Sequence, residues 1–221
     1  MSTTYNLMKV YSWPTPNGHK VHIMMEECGF KHGTDWRAIA VDIGAGDQFK
    51  EDFLAISPNN KIPALVDPNG PDGKPIALFE SGAILLYLAA KTGQFLPESD
   101  REKYEVLQWL MFQMASVGPM MGQANHFGSN AAPERIEYAI NRYRNEVRRL
   151  HGVMEHQLST AKWIAGSNYS IADQTTTANI TPKALTLTGL TANNKVYNTS
   201  HRKNNHSDNS FLWFWNTYKL G

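Results

Sequence analysis

Residues 57–66 read SPNNKIPALV and residues 75–92 read PIALFESGAILLYLAAKT. Ile62 to Val66 starts a short apolar run of strand character, and Pro75 to Phe79 makes a second. Between them, Pro68-Asn69-Gly70-Pro71-Asp72-Gly73 is turn chemistry, so the two strands pair antiparallel. Ser81 then caps a helix that runs to Thr92 and is ended by Gly93. The segment therefore predicts strand, strand, helix.

Upstream, Leu7 to Trp13 is a strand bounded by Pro14, and Thr15-Pro16-Asn17-Gly18 turns the chain. Asn17 is placed to cap a helix whose apolar face holds Val21, Met24, Met25 and Cys28 and which Gly29 stops. Asp35 to Val41 is the next strand, followed by a short helix or turn over Asp47 to Ile56. The order βαβ followed by ββα over residues 1–95 is that of a thioredoxin-like, α/β domain.

From Asp100 the periodicity is helical. Arg101 to Met114 and Pro133 to Leu158 carry apolar residues at three- and four-residue spacing, and Gly118-Pro119 interrupts the first run. An all-α domain is expected over 100–221, joined through Pro97-Glu98-Ser99. Ser170-Ile171-Ala172-Asp173 has the spacing of a capping box and should start a buried helix. Residues 174–221 depart from this pattern. They hold nine Thr and eight Asn, poor residues for helix interiors, and five Lys/Arg against the single acid Asp208. The tail carries +4 and residues 1–173 carry −3. The abrupt change of composition is what a shifted reading frame just after Asp173 would produce, in which case the helix from Ile171 has little apolar face to bury; the alternative is a divergent tail whose Phe211 to Trp215 cluster docks back onto the helical domain.

The 221 residues are 42% hydrophobic and 19% charged, enough for a sizeable core. The longest uncharged apolar run, Ser81 to Ala90, is too short to span a bilayer, and the start MSTTYNLMKV lacks a signal-peptide core, so the expected location is the cytoplasm. A net charge of +1 gives no field to gather nucleic acid or anionic lipid. The single cysteine, Cys28, supplies neither a disulfide nor a CxxC pair, and it falls on the apolar side of its helix as inert core. His19 and His22 sit three residues apart, but no third ligand at metal spacing accompanies them, so no metal is expected. Any redox sulfur must come from a ligand.

The stretches TPNGHK (15–20), FLAISPNNKIPA (53–64), LFESGAILLYL (78–88), GPMMGQ (118–123) and SIAD (170–173) together resemble the glutathione transferases. The resemblance is strongest to the bacterial Nu class that reduces disulfides, and a fungal nitrogen-regulator prion protein is a more distant relative. It covers about residues 8–173, and the tail departs from it. It implies glutathione as co-substrate, a homodimer, and reduction of small disulfides by two glutathiones without a protein cysteine. Conjugation of electrophiles, reduction of peroxides, or a purely regulatory glutathione-binding role are the alternatives.

The resemblance also assigns roles, each with its chemistry. Glu80 offers an anion to the glutamyl ammonium, and Ser81 with the helix start offers donors to the glutamyl carboxylate. Pro63 resembles the family's cis-proline, which turns the Ile62 backbone outward to pair with the cysteinyl unit like an added strand. Thr15 and Asn17 stand where other classes place Tyr, Ser or Cys and are the catalytic candidates. Their donors beside a helix N-terminus stabilise a glutathione thiolate. Lys61 and Gln48 are further glutathione contacts, and Arg142 is matched to a carboxylate of a second glutathione, which its planar fork suits.

Overall fold

The computed structural model describes residues 7–129 and 132–179. The chain divides into two compact units, Met1–Gln94 and Phe95–Gly221.

The first unit is built on a four-stranded sheet of order β2-β1-β3-β4, with β1 Met8–Ser12, β2 Trp36–Ala40, β3 Ala64–Asp67 and β4 Ile76–Phe79. β1 pairs parallel with β2 and antiparallel with β3, and β3 pairs antiparallel with β4. The central β1 buries Met8, Val10 and Ser12 on one face, the period-two pattern of a strand. Helix α1, Pro16–Glu27, crosses between the parallel strands, and α3, Ser81–Thr92, packs on α1. Val21, Met24 and Met25 of α1 and Ile84, Leu85 and Leu88 of α3 are all fully buried. Each such side chain contributes about 1.5–3 kcal/mol. Under the other side of β1, Val41, Phe53 of α2 (Glu51–Leu54) and Ala64 form a small core with Tyr11, Ile56 and Ile62.

Both helix starts differ by a residue or two from the sequence reading. Thr15, not Asn17, caps α1: its backbone is extended and its Oγ1 accepts from Gly18 N at 3.3 Å. Asn17 lies inside the first turn. Glu80 occupies the cap position of α3 and Ser81 is the first helical residue. A β-extended threonine can cap with its own oxygen, which leaves Asn17 to face outward.

The second unit is helical. Here α4 spans Asp100–Phe112, α5 Gly118–Gly128, α6 Glu137–Thr160 and α7 Ile171–Asn179. The expected interruption at Gly118-Pro119 is a π-helical turn over Gln113–Val117 that leads directly into α5, with Pro119 just after the wider turn. α6 begins at Glu137, four residues past the expected Pro133.

The capping box forms in a modified way. Asp173 accepts from Ser170 N and Ser170 Oγ, both at 3.0 Å, and from Ile164 N at 2.8 Å. The serine hydroxyl donates to the acid rather than capping an N–H. The buried helix expected from the capping box is present: Ile171 to Thr176 are all buried, although only Ile171 and Ala172 among them are apolar. Thr175 Oγ1 donates to Ile171 O and Thr176 Oγ1 to Ala172 O, so hydroxyls satisfied by their own helix can enter the core. The rest of the anomalous tail, 180–221, lies outside the described residues.

Candidate active site

The sheet register decides where the site lies. Tyr11, near the end of β1, faces Ala64 at the start of β3, and Ala64 faces Phe79 at the end of β4. Ser12 faces Ala40 at the end of β2. The segments that follow β1, β2 and β4, and the one that precedes β3, therefore emerge at one end of the sheet. Those four segments carry Thr15 and Asn17, Gln48, Lys61-Ile62-Pro63, and Glu80-Ser81. Residues far apart in sequence meet because three strand ends and one strand start share that edge.

Two helix N-termini open on the same edge. α1 and α3 each run 12 residues and direct their first-turn N–H groups and positive dipole ends there. Gly18 is needed at the α1 start because a Cβ would lie 2.6 Å from Trp13 O. Thr15 Oγ1 is already an acceptor from Gly18 N, so its proton is left for a further partner. Asn17 is exposed. Neither residue is a base at neutral pH. Their chemistry is donation to an anion.

The Ile62–Pro63 peptide is cis, and Pro63 is buried while Ile62 packs on the small core. The preceding turn is tied by Ser57 Oγ to Lys61 O at 2.8 Å, with Asn60 in the left-handed region at φ 48° and Lys61 exposed. Glu80 is exposed and has φ 70°, a conformation that costs a non-glycine residue about 1–3 kcal/mol and concentrates at functional positions. Asn59 Nδ2 donates to Glu80 Oε1 at 3.5 Å. Gln48, in a 3₁₀ turn over Asp47–Phe49, donates to Ile43 O at 3.2 Å.

The sequence reading missed Lys20. It is buried at 1% exposure, and its Nζ donates to Ser81 Oγ at 3.5 Å. Burial pushes its ammonium down to about 7, against the opposing charge of Glu80. The only sequence signal was its place one turn into α1 among apolar residues.

Arg142 belongs to the second unit, where it is exposed on α6 in a surface cleft of about 420 Å³ shared with Tyr138, Asn141, Asn145, Glu146 and Arg149. Cys28 follows the last turn of α1, at the far end from the site, with Sγ 3.6 Å from Thr92 Oγ1, and burial pushes its thiol pKa up. His22 is buried against Ser12 Oγ at 2.8 Å and is pushed down to about 3, first by burial, so it stays neutral. Among the described residues no group of three or more His, Cys, Asp or Glu is arranged to hold a metal. Nor is any described helix long and apolar enough to cross a membrane.

A thioredoxin-like unit with a cis-proline beside two helix N-termini, joined to a helical unit, defines the architecture, and the sequence comparisons agree with it. Residues 15–91 match the glutathione S-transferase N-terminal domain. The chain is 52% identical over 168 residues to the disulfide-bond oxidoreductase YfcG of Escherichia coli, covering 76% of each chain. It belongs to the glutathione S-transferase family. Within the family its likeness is to the disulfide-bond oxidoreductases, and 39% identity over 150 residues links it to the protein URE2 of Saccharomyces bayanus, over 65% of this chain and 41% of that one. Among solved structures, a glutathione transferase family member from Pseudomonas fluorescens with two glutathiones bound is 41% identical with a TM-score of 0.79, over 91% of this chain and 88% of that one. A glutathione transferase from Pseudomonas putida with one glutathione disulfide bound per subunit is 40% identical with a TM-score of 0.78, over 91% and 86%.

Proposed function

We propose that the chain is a glutathione-dependent disulfide reductase that uses two glutathiones and no protein thiol. The observation that carries this is the convergence, at one end of the sheet, of a carboxylate on a left-handed turn, two helix N-termini and a cis-proline strand start. Residues 1–95 form the glutathione-binding domain and 100–221 the helical domain in this reading. Glu80 receives the glutamyl ammonium, and Ser81 with the α3 start receives the glutamyl carboxylate. The Ile62 backbone pairs with the cysteinyl unit, while Gln48 and Lys61 contact the rest of the tripeptide. Thr15 and Asn17 donate to the sulfur and lower its pKa. Arg142 takes a carboxylate of the second glutathione.

The chemistry then balances as follows. A glutathione thiolate attacks one sulfur of the substrate disulfide, the S–S bond breaks, and the substrate thiolate leaves and takes a proton from water. The second glutathione thiolate attacks the glutathione sulfur of the mixed disulfide, releasing the second substrate thiol and glutathione disulfide. Two glutathiones are oxidised and one disulfide is reduced. The protein supplies positioning and thiolate stabilisation. The likeness to disulfide-bond oxidoreductases and to a transferase holding glutathione disulfide supports this reading over conjugation. A homodimer in the cytoplasm is the accompanying expectation.

The test is turnover of hydroxyethyl disulfide with glutathione, run beside a chloronitrobenzene. Faster disulfide reduction supports the proposal. Faster conjugation overturns it in favour of a transferase, and glutathione binding without either reaction makes the chain a binding protein.

A further inference from the structure

Ser57 is fully buried in the turn between α2 and β3, and all three of its polar groups are bonded there. Its N–H donates to Phe53 O at 2.8 Å, its carbonyl accepts from Asn60 N at 2.9 Å, and its Oγ donates to Lys61 O at 2.8 Å. Phe53 belongs to the small core with Ala64 and Ile62, so Ser57 is anchored to the interior. Asn60 takes the left-handed φ of 48° in the turn that brings the Lys61 carbonyl back to the serine hydroxyl. The carbonyl of Lys61 and the N–H of Ile62 belong to one trans peptide group, which is planar, with the two bonds pointing in opposite directions. A hydroxyl that holds the carbonyl toward the buried Ser57 therefore aims the Ile62 N–H away from it and stops the peptide plane from rotating. Among the described residues the Ile62 N–H enters no ladder pair or turn bond, because the pairing of β3 begins at Ala64. An N–H needs an acceptor, and the acceptor that an extended peptide brings to a strand start is a backbone carbonyl.

We propose that Ser57 is a positioning residue that fixes the Lys61–Ile62 peptide plane and so aims the Ile62 N–H at a carbonyl of the bound peptide. This rests on the glutathione reading above, in which that carbonyl belongs to the cysteinyl unit. Ser57 acts through the Ile62 backbone, without a role in the sulfur chemistry.

The experiment is calorimetric titration of the full chain with glutathione and with the analogue whose Cys–Gly amide is an (E)-alkene. The alkene keeps the extended geometry and has no cysteinyl carbonyl oxygen. Wild type is expected to prefer glutathione by about fivefold or more, the scale of one neutral hydrogen bond. Ser57→Ala, which removes one oxygen, should bring the preference to within about twofold by weakening glutathione while leaving the alkene nearly unchanged. A role in stability alone would weaken both ligands equally. Equal weakening by Ser57→Ala, an intact preference, or a wild type with no preference would overturn the proposal. If Ser57→Ala does not fold by circular dichroism, Ser57→Cys, close in size but with a weak S–H donor, takes its place and must show the same fall of preference. An unchanged preference there also overturns it. If wild type binds neither ligand, the glutathione reading itself has failed, an outcome separate from the failure of the Ser57 role.

Discussion

Replacing Asp173 by Asn isolates one buried carboxyl in the loop-to-helix junction before α7. The side chain is 4% exposed and accepts from Ile164 N, Ser170 N and Ser170 Oγ. Burial is the largest influence on it, and despite the opposing hydrogen bonds it is raised from 3.8 to about 6. The native value lies above the unfolded one, so between these values the native state holds more protons and stability falls as pH rises. The contribution of the protonated form is complete below about pH 4 and is lost as pH climbs through 6, amounting to about 3 kcal/mol at 1.36 kcal/mol per unit. Asn cannot titrate. Its amide group also sets one N–H₂ where only acceptors serve, a pH-independent cost of about 1–3 kcal/mol. Urea denaturation of both proteins at intervals from pH 4 to pH 7 should show wild type ahead throughout, with its lead shrinking by about 3 kcal/mol across the range. A lead that is constant or grows with pH would refute the reasoning, because it would mean that the three donors outweigh burial.

The remaining predictions concern the first unit. Cys28→Ser should retain disulfide reductase activity within a few fold, because the thiol lies 13 residues along from Thr15, roughly 20 Å at 1.5 Å per residue, and its pKa is pushed up. Loss beyond a hundredfold with the fold intact would implicate the protein sulfur. Asn17→Ala should raise the pKa of bound glutathione and slow the reaction at neutral pH, since a hydrogen bond to a charged acceptor contributes about 1.5–3 kcal/mol. Titration of the ultraviolet thiolate band reads this, and superimposable curves would move the role to Thr15 or to the helix end. Gly18→Ala should lower stability and weaken glutathione binding together, because the new Cβ lies 2.6 Å from Trp13 O and must displace the α1 start. Unchanged binding would show that the position of that helix end is not critical.

Much of the first unit was legible because its signals are local. Strand periodicity, Pro68 to Gly73 turn chemistry and the glycines that end α1 and α3 act within a few residues, and they gave β1 to β4 to within about two residues. The cap assignments failed by one or two residues because Thr15 and Asn17 are both good caps by type, and Ser81 is a better one by type than Glu80. Only the extended backbone at Thr15 and the left-handed one at Glu80 decide between them. The π-turn at Gln113–Val117 left no separate mark in the spacing of apolar residues. The spacing of Ser170 and Asp173 marked a buried helix start, but not that Gln174, Thr175 and Thr176 would be buried with it. Composition counts a threonine as polar, but its hydroxyl can bond its own helix and be buried.

The candidate site divides in the same way. The resemblance singled out Thr15, Asn17, Gln48, Lys61, Ile62, Pro63, Glu80 and Ser81, because the motifs that carry it are written locally in the sequence. That these segments share one edge was decided by strand order and register, Tyr11 against Ala64 against Phe79, which are long-range pairings that no local pattern encodes. Lys20 belongs wholly to the tertiary structure. A lysine in an amphipathic helix reads as solvent-facing, and it becomes a buried cation under Ser81 only when α3 packs onto α1 and closes water out.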